Sequence, residues 1–314
     1  MTNSLALKGV IATSPAVLFT IGGTEYTQAA ATPPPSTQQS PLHTITSSGH
    51  TRSYLLSTPE HFDSSHPIPV IFAFHGHGQD AQRMETYSDL DQLPAIIVYP
   101  DGNKDTTGKR AWESAPYAQT NTHHEDSQLV RDILHQLDHT YSVDHSRIYA
   151  TGKSNGGGFA ARLGCTMPDV FAAVAPVAGA YYPDTHTHCA TTTTSPVSIM
   201  EVHGTDDKTI DYQGGTSHGK HYISGRQLTD EFARRNRCAT PPPAHLADVA
   251  TTDGAKRLSW TNCAGSSEAV HYAVQGGGHN WPGSSHQKSS GPGPYNTRFS
   301  TTTRIWEFFS RHHH

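Results

Sequence analysis

Sulfur and charge are both scarce in this 314-residue chain. It has four cysteines, none of them before Cys165, and only 16% of its residues are charged, with a formal net charge of -5. That balance gives no basic field for nucleic acid. No run is long and apolar enough to cross a membrane. The chain also lacks an N-glycosylation sequon, an internal repeat and a phosphate-binding loop. Gly152-Lys153-Ser154 has the ending of such a loop, but the glycine required five positions before Gly152 is Arg147. Among the histidines, those of His123-His124-Glu125-Asp126 and of the tail His312–His314 read as solvated. Cys189 with His186 and His188 lacks the second ligand pair of a zinc site, so no metal is expected.

Glycine is plentiful, and one glycine cluster carries chemistry. Tyr149-Ala-Thr-Gly-Lys-Ser-Asn-Gly-Gly-Gly158 sets Ser154 at the spacing Gly-x-Ser-x-Gly, straight after a short apolar run. That is the layout of a nucleophile elbow, a sharp strand-to-helix turn in which glycines make room for the strained backbone. The competing reading is a glycine-rich turn without chemistry, so partners decide. A serine hydroxyl needs a base, and the base needs an orienting acid. In α/β-hydrolases these follow in the order Ser, Asp or Glu, His, each after a strand. Val197–Val202 reads as a strand and enters His203-Gly-Thr-Asp-Asp207; Val270–Val274 reads as another and enters Gln275-Gly-Gly-Gly-His279. Ser154 and His279 thus fit the nucleophile and base, with the acid in the Asp206–Asp207 pair.

The tetrahedral intermediate of acyl transfer also needs preorganised N–H donors. One is expected from the backbone of Asn155, the residue after the nucleophile. The second should follow the strand Val70–Phe74, which enters His75-Gly-His-Gly78. His77 is assigned, with Gly78 as the fallback and His75 as a residue that pins the loop.

Together, Tyr149–Phe159, the Phe74–Gly78 loop, His203–Asp207 and Gly278-His-Asn-Trp-Pro282 resemble the fungal feruloyl esterases of carbohydrate esterase family 1, near types C and D. Acetylxylan esterases and polyhydroxyalkanoate depolymerases are more distant relatives. The likeness covers about Arg52 to Phe309 and implies the triad Ser154, Asp207 and His279. It departs from the family at Asp206, where a non-acidic residue is usual; Asp207 is favoured as the acid. The implied activity is secreted hydrolysis of feruloyl esters on arabinoxylan, without a cofactor. The alternatives are an acetylxylan esterase or polyester depolymerase, and, from another class, a non-catalytic carbohydrate-binding relative. Trp281, two residues past His279, and Trp112, in a long polar segment, are the candidate substrate contacts. Tyr181, Tyr182, Thr205, Asp211 and Tyr212 could line the same mouth. Cysteines recur at similar points in the family, and neighbours in sequence suggest the bridges Cys165–Cys189 and Cys238–Cys263, although four cysteines allow three pairings.

Length suits one catalytic domain at 51–311. A signal peptide at 1–31 and a Pro/Ser/Thr-rich spacer at 32–50 are expected to precede it. An attached cellulose-binding module is not expected, since it would need a disulfide core. The short apolar segments Val70–Phe74, Ala95–Tyr99, Ile148–Ala150, Phe171–Val177, Val197–Val202 and Val270–Val274 read as doubly covered strands. Leu129, Val130, Ile133 and Leu137 mark a helix capped by Asp126 or Ser127. Phe159 with Leu163, Leu228 with Phe232, and Ile305 with Phe309 mark three more. Their alternation predicts an α/β-hydrolase: a mainly parallel twisted sheet with helices on both faces.

Overall fold

The apolar segments become the interior of one sheet. The computed structural model describes residues 39–59, 66–117, 125–183, 195–239 and 249–314, all within the unit Gln39–His314. Its strands are β1 (Leu42–Ser47), β2 (His50–Ser57), β3 (Ile68–Phe74), β4 (Ile96–Pro100), β5 (Asn103–Lys104), β6 (Arg110–Ala111), β7 (Val143–Lys153), β8 (Ala173–Val177), β9 (Ser198–Gly204), β10 (Gly215–Ser217), β11 (Lys220–Tyr222), β12 (Val249–Ala250), β13 (Ala255–Trp260) and β14 (Ala269–Val274). Ten of them form a sheet in the order β1-β2-β4-β3-β7-β8-β9-β14-β13-β12. The strands from β4 to β14 in that order run parallel, and the pairs at both edges are antiparallel.

Every residue of β3, β4, β8, β9 and β14 is buried, as a sheet covered on both faces requires. Successive side chains point to opposite faces, which divides them between two cores. Val70, Phe72 and Phe74 meet the helices α2 (Glu125–Asp138), α3 (Asn155–Thr166) and α4 (Gly225–Arg235). Ile71 and Ala73 meet α1 (Ala81–Ser88) and a C-terminal helix, Thr301–Phe309. The N-terminus of α4 carries a capping box between Ser224 and Gln227.

Three expectations need correction. Residues 42–50 do not belong to a spacer: Leu42–Ser47 pairs with β2 along six register positions. Its exposed positions are Leu42, Thr44 and Thr46, so this edge strand presents a single apolar side chain rather than an apolar run. The helix expected to be capped by Asp126 or Ser127 already begins at Glu125. Asp126 is buried in its first turn, where it pairs with Arg52 of β2 at 2.9 Å, and is not solvated. His312 is also buried: its ring bonds the Phe308 carbonyl, and its own carbonyl accepts from the Tyr149 hydroxyl. Cys238 and Cys263 form a disulfide, closing a separation of 25 residues. Cys165 is disulfide-bonded, but the bridge assigned to it involves Cys189, which lies outside the described residues, as do residues 1–31, His123, His124, His186 and His188.

Candidate active site

Steric exclusion shapes the turn from β7 into α3. A Cβ on Gly156 would lie 2.1 Å from the Phe74 carbonyl oxygen and 2.5 Å from that of His75. On Gly152 it would lie 2.5 Å from the Gly156 oxygen. Glycine at both positions lets α3 leave the sheet against β3. Between them Ser154 takes φ 57 and ψ -120, a sparsely populated conformation for a residue with a side chain. Strain of this kind is what a nucleophile elbow requires.

The loops after β9 and β14 meet this serine. His279 Nε2 lies 3.0 Å from Ser154 Oγ, and His279 Nδ1 lies 2.7 Å from Asp207 Oδ2. Asp207 is buried, and its Oδ1 accepts the backbone N–H groups of Thr209 and Ile210 at 2.8 and 2.9 Å. Asp206, by contrast, is exposed and meets the His279 loop only through its backbone, donating to the Gly277 carbonyl. Burial opposes ionisation of Asp207, but hydrogen bonds from His203 and His279 outweigh it and hold the carboxyl well below the usual range. Burial, then the nearby Lys153 charge, lowers His279 to about 4 against the opposing Asp207 bond. The imidazole is therefore neutral at pH 7, the state a general base requires.

Two loops frame the hydroxyl. His75 pins the one after β3: its Nε2 accepts the Gly102 N–H at 2.9 Å, which leaves Nδ1 to donate to the Gly76 carbonyl at 2.8 Å. The Gly78 N–H donates to Arg110 at 2.8 Å and is therefore spent. That of His77 has no protein acceptor among the described residues. Asn155 opens α3, where the first N–H groups lack helical partners. Its side chain is tied to Trp112 and Ser114.

Trp112 and Trp281, expected as substrate contacts, are both buried packing residues in this structure. Trp112 is fully buried between Phe74 and Phe159 and donates to the His75 carbonyl at 2.9 Å. Trp281 is 1% exposed, packs against Tyr87 and donates to Thr302. Each ring is large enough to be worth more in the core than on a rim. Tyr181 is buried against Glu201, and Tyr212 bonds His271. A different aromatic group, half-buried, stands beside the His77 loop. Tyr117 stands edge-on to the His77 ring at 5.7 Å and stacks on His218 of the β10–β11 hairpin at 4.0 Å. The same tyrosine packs on a small apolar cluster of Ala111, Ala115, Ala180, Tyr182, Ile210 and Tyr222, built from loops that follow the strands. Nothing in the polar segment around Tyr117 signals this role. A second missed group, Glu201, His203 and His271, did have a signal: ionisable residues inside strands that are otherwise apolar. Among the described residues, no cluster of three His, Cys, Asp or Glu is disposed to hold a metal ion. None of their helices is long and apolar enough to cross a membrane.

Comparison with known proteins agrees with this architecture. Feruloyl esterase D of Neurospora crassa is 27% identical over 269 residues, covering 84% of this chain and 83% of the relative. Feruloyl esterase B of Piromyces equi is 27% identical over 240 residues; the chain spans only 42% of that relative's length. The solved acetyl xylan esterase from Aspergillus awamori shares the fold, with a TM-score of 0.57 at 15% identity over 86% of this chain and 99% of that one. The model of the family named Esterase matches residues 45–282, from β1 through β14 to just beyond His279. With that match spanning the parallel strands and the loops that meet at Ser154, the chain belongs to the Esterase family, on an α/β-hydrolase fold.

Proposed function

We propose that this protein is a secreted serine esterase that hydrolyses hydroxycinnamoyl esters of plant cell-wall arabinoxylan. The observation that carries the reading is the line of contacts from Ser154 Oγ through His279 to the Asp207 carboxylate. His279 Nε2 takes the Ser154 proton as Oγ attacks the ester carbonyl. Asp207 holds Nδ1–H, so the imidazole has the tautomer that accepts at Nε2 and is stabilised once protonated. The His77 and Asn155 N–H groups receive the charge on the carbonyl oxygen. Collapse expels the polysaccharide alcohol, protonated by His279. Water, deprotonated by the same imidazole, then releases the carboxylic acid and regenerates Ser154. Each step draws on the chain's own residues, without a cofactor.

Two things support an aromatic acyl group: the relatives named feruloyl esterase, and the Tyr117–His218 stack beside the His77 loop. An aromatic contact is worth about 0.5–1.5 kcal/mol beyond area burial, so roughly a tenfold preference is expected. The test is kcat/KM for methyl ferulate and for a short alkyl acetate, with fluorophosphonate labelling of Ser154. The ferulate should win, and Tyr117→Ala should narrow the gap. Better turnover of acetylated xylan by wild type would overturn the feruloyl assignment, and full activity in Ser154→Ala would overturn the serine mechanism.

A further inference from the structure

Asp207 has a second partner besides His279. His203 leaves the end of β9, and its Nε2 lies 3.4 Å from Asp207 Oδ2 and 3.0 Å from the Ile210 carbonyl oxygen. Its Nδ1 lies 3.1 Å from Glu201 Oε1. Both residues are essentially without solvent contact. The partners of the ring point to a charged imidazole. A carbonyl oxygen only accepts, so His203 Nε2 must carry a hydrogen. Glu201 receives the Tyr181 hydroxyl at 2.9 Å on Oε1 and His271 Nδ1 at 2.7 Å on Oε2. With the Tyr181 hydroxyl and His271 Nδ1 both directed at it the carboxyl is read as ionised, and a carboxylate oxygen 3.1 Å from His203 Nδ1 calls for a hydrogen on that nitrogen as well. Tyr212 can donate its hydroxyl hydrogen to His271 Nε2 at 2.9 Å, so His271 needs only one proton of its own. Gly225 at the start of α4 leaves no room to rearrange: a Cβ there would lie 2.2 Å from the Glu201 carboxyl carbon.

We propose that His203 is a positioning residue: a buried imidazolium, clamped between Glu201 and Asp207, that orients the Asp207 carboxylate and moderates its pull on His279. The proposal rests on the reading of Ser154, His279 and Asp207 as the esterase triad. The groups facing His203 are Glu201, Asp207, the Ile210 carbonyl and the edge of the Tyr212 ring; those acting on His279 are Asp207, Lys153 and His203. Burial opposes charging His203, but its bonds to Asp207 and Glu201 outweigh this and raise it to about 10. Burial likewise opposes charge on Glu201, and the bonds from His203 and His271 bring it to about 2. A cation here disfavours a proton on His279. Removing it must therefore raise the pH at which the base becomes protonated.

The experiment is the pH dependence of kcat/KM for p-nitrophenyl acetate in wild type, His203→Gln and Glu201→Gln. Both substitutions should move the acidic limb to higher pH, His203→Gln by about one unit, with kcat roughly tenfold lower. Packing loss alone would lower kcat and leave the limb in place, and that result would overturn the proposal. Nitrogen-15 NMR of the histidine-labelled wild type provides a second reading that needs no variant to be active. At pH 8 one buried histidine should show both ring nitrogens protonated, and that signal should vanish in whichever variant folds. A spectrum with every buried ring singly protonated would refute the charge assignment. The underlying triad is tested separately: normal turnover by Ser154→Ala or His279→Ala would sink that reading, whereas dead triad variants with an unmoved limb would sink only the role of His203.

Discussion

Replacing each of two adjacent aspartates by asparagine should give opposite results. The Asp207 carboxylate divides its work: Oδ1 holds the Thr209 and Ile210 N–H groups and Oδ2 faces His279 Nδ1. In Asp207→Asn the amide oxygen can keep the first pair, so the loop should remain in place. The amide NH2 then faces His279, and Nδ1 must become an acceptor. The ring proton moves to Nε2 and points at Ser154 Oγ, 3.0 Å away, where a base is needed. A wrong tautomer in an intact triad lowers kcat by about 10⁴, equivalent to roughly 5.5 kcal/mol of transition-state stabilisation. Asp206→Asn changes an exposed side chain whose backbone N–H contact to Gly277 is untouched, so kcat should stay within about twofold. Steady-state kinetics on p-nitrophenyl acetate and methyl ferulate, with melting curves to verify folding, would measure both. An Asp207→Asn variant that keeps more than about a tenth of wild-type kcat, or a crippled Asp206→Asn, would refute the assignment of Asp207.

Two further outcomes follow from the site and its surroundings. Since His279 is lowered to about 4, and in the proposed mechanism acts as a base only when neutral, wild-type kcat/KM should be level from pH 7 down to about 5 and then fall through about 4; a limb centred near 6.5 would show that burial and Lys153 do not act on it. Trp281→Ala should destabilise by about 3–5 kcal/mol and lower Tm by roughly 10 °C, while the ratio of ferulate to acetate turnover stays constant; a changed ratio would return Trp281 to the substrate pocket.

Much of the architecture was legible because the central strands are covered twice. Val70–Phe74 can be read as a continuous apolar run and Val270–Val274 as one broken only by His271, and the positions of Ser154 and His279 follow from glycine turns after such runs. The edges were less visible. β1 alternates exposed and half-buried residues, and β13 sets buried Leu258 and Trp260 beside half-buried Arg257 and Ser259; their order comes from pairing with a neighbour rather than from local composition. Sequence could not separate Asp206 from Asp207 on chemical grounds, since the difference is which carboxyl the turn folds inward to meet the Thr209 and Ile210 N–H groups. The tryptophans misled for a related reason. Proximity in sequence to His279 places Trp281 near the site, but its direction is set by Tyr87, far away in the chain, and by Thr302, 21 residues on. Glu201 and His271 were readable as anomalies within apolar strands, though only the pairing of β9 with β14 sets them opposite one another.

The β10–β11 hairpin is built like a replaceable cartridge. It begins and ends beside its own anchor, where the Asp211 N–H bonds the Tyr222 hydroxyl at 2.8 Å, and it is pinned to the body by the Ile223 N–H on the Tyr181 carbonyl at 2.9 Å. Its tip carries His218 and Gly219 at positive φ, an open turn that other sequences of the same length can adopt. Neither Ser154 nor His279 borrows a bond from it. Descendants of this chain could therefore trade hairpins, and with them the surface stacked on Tyr117, while inheriting the hydrolytic machinery unchanged. Diversification of acyl preference within such a lineage would then proceed by exchange of one short segment rather than by rebuilding the sheet.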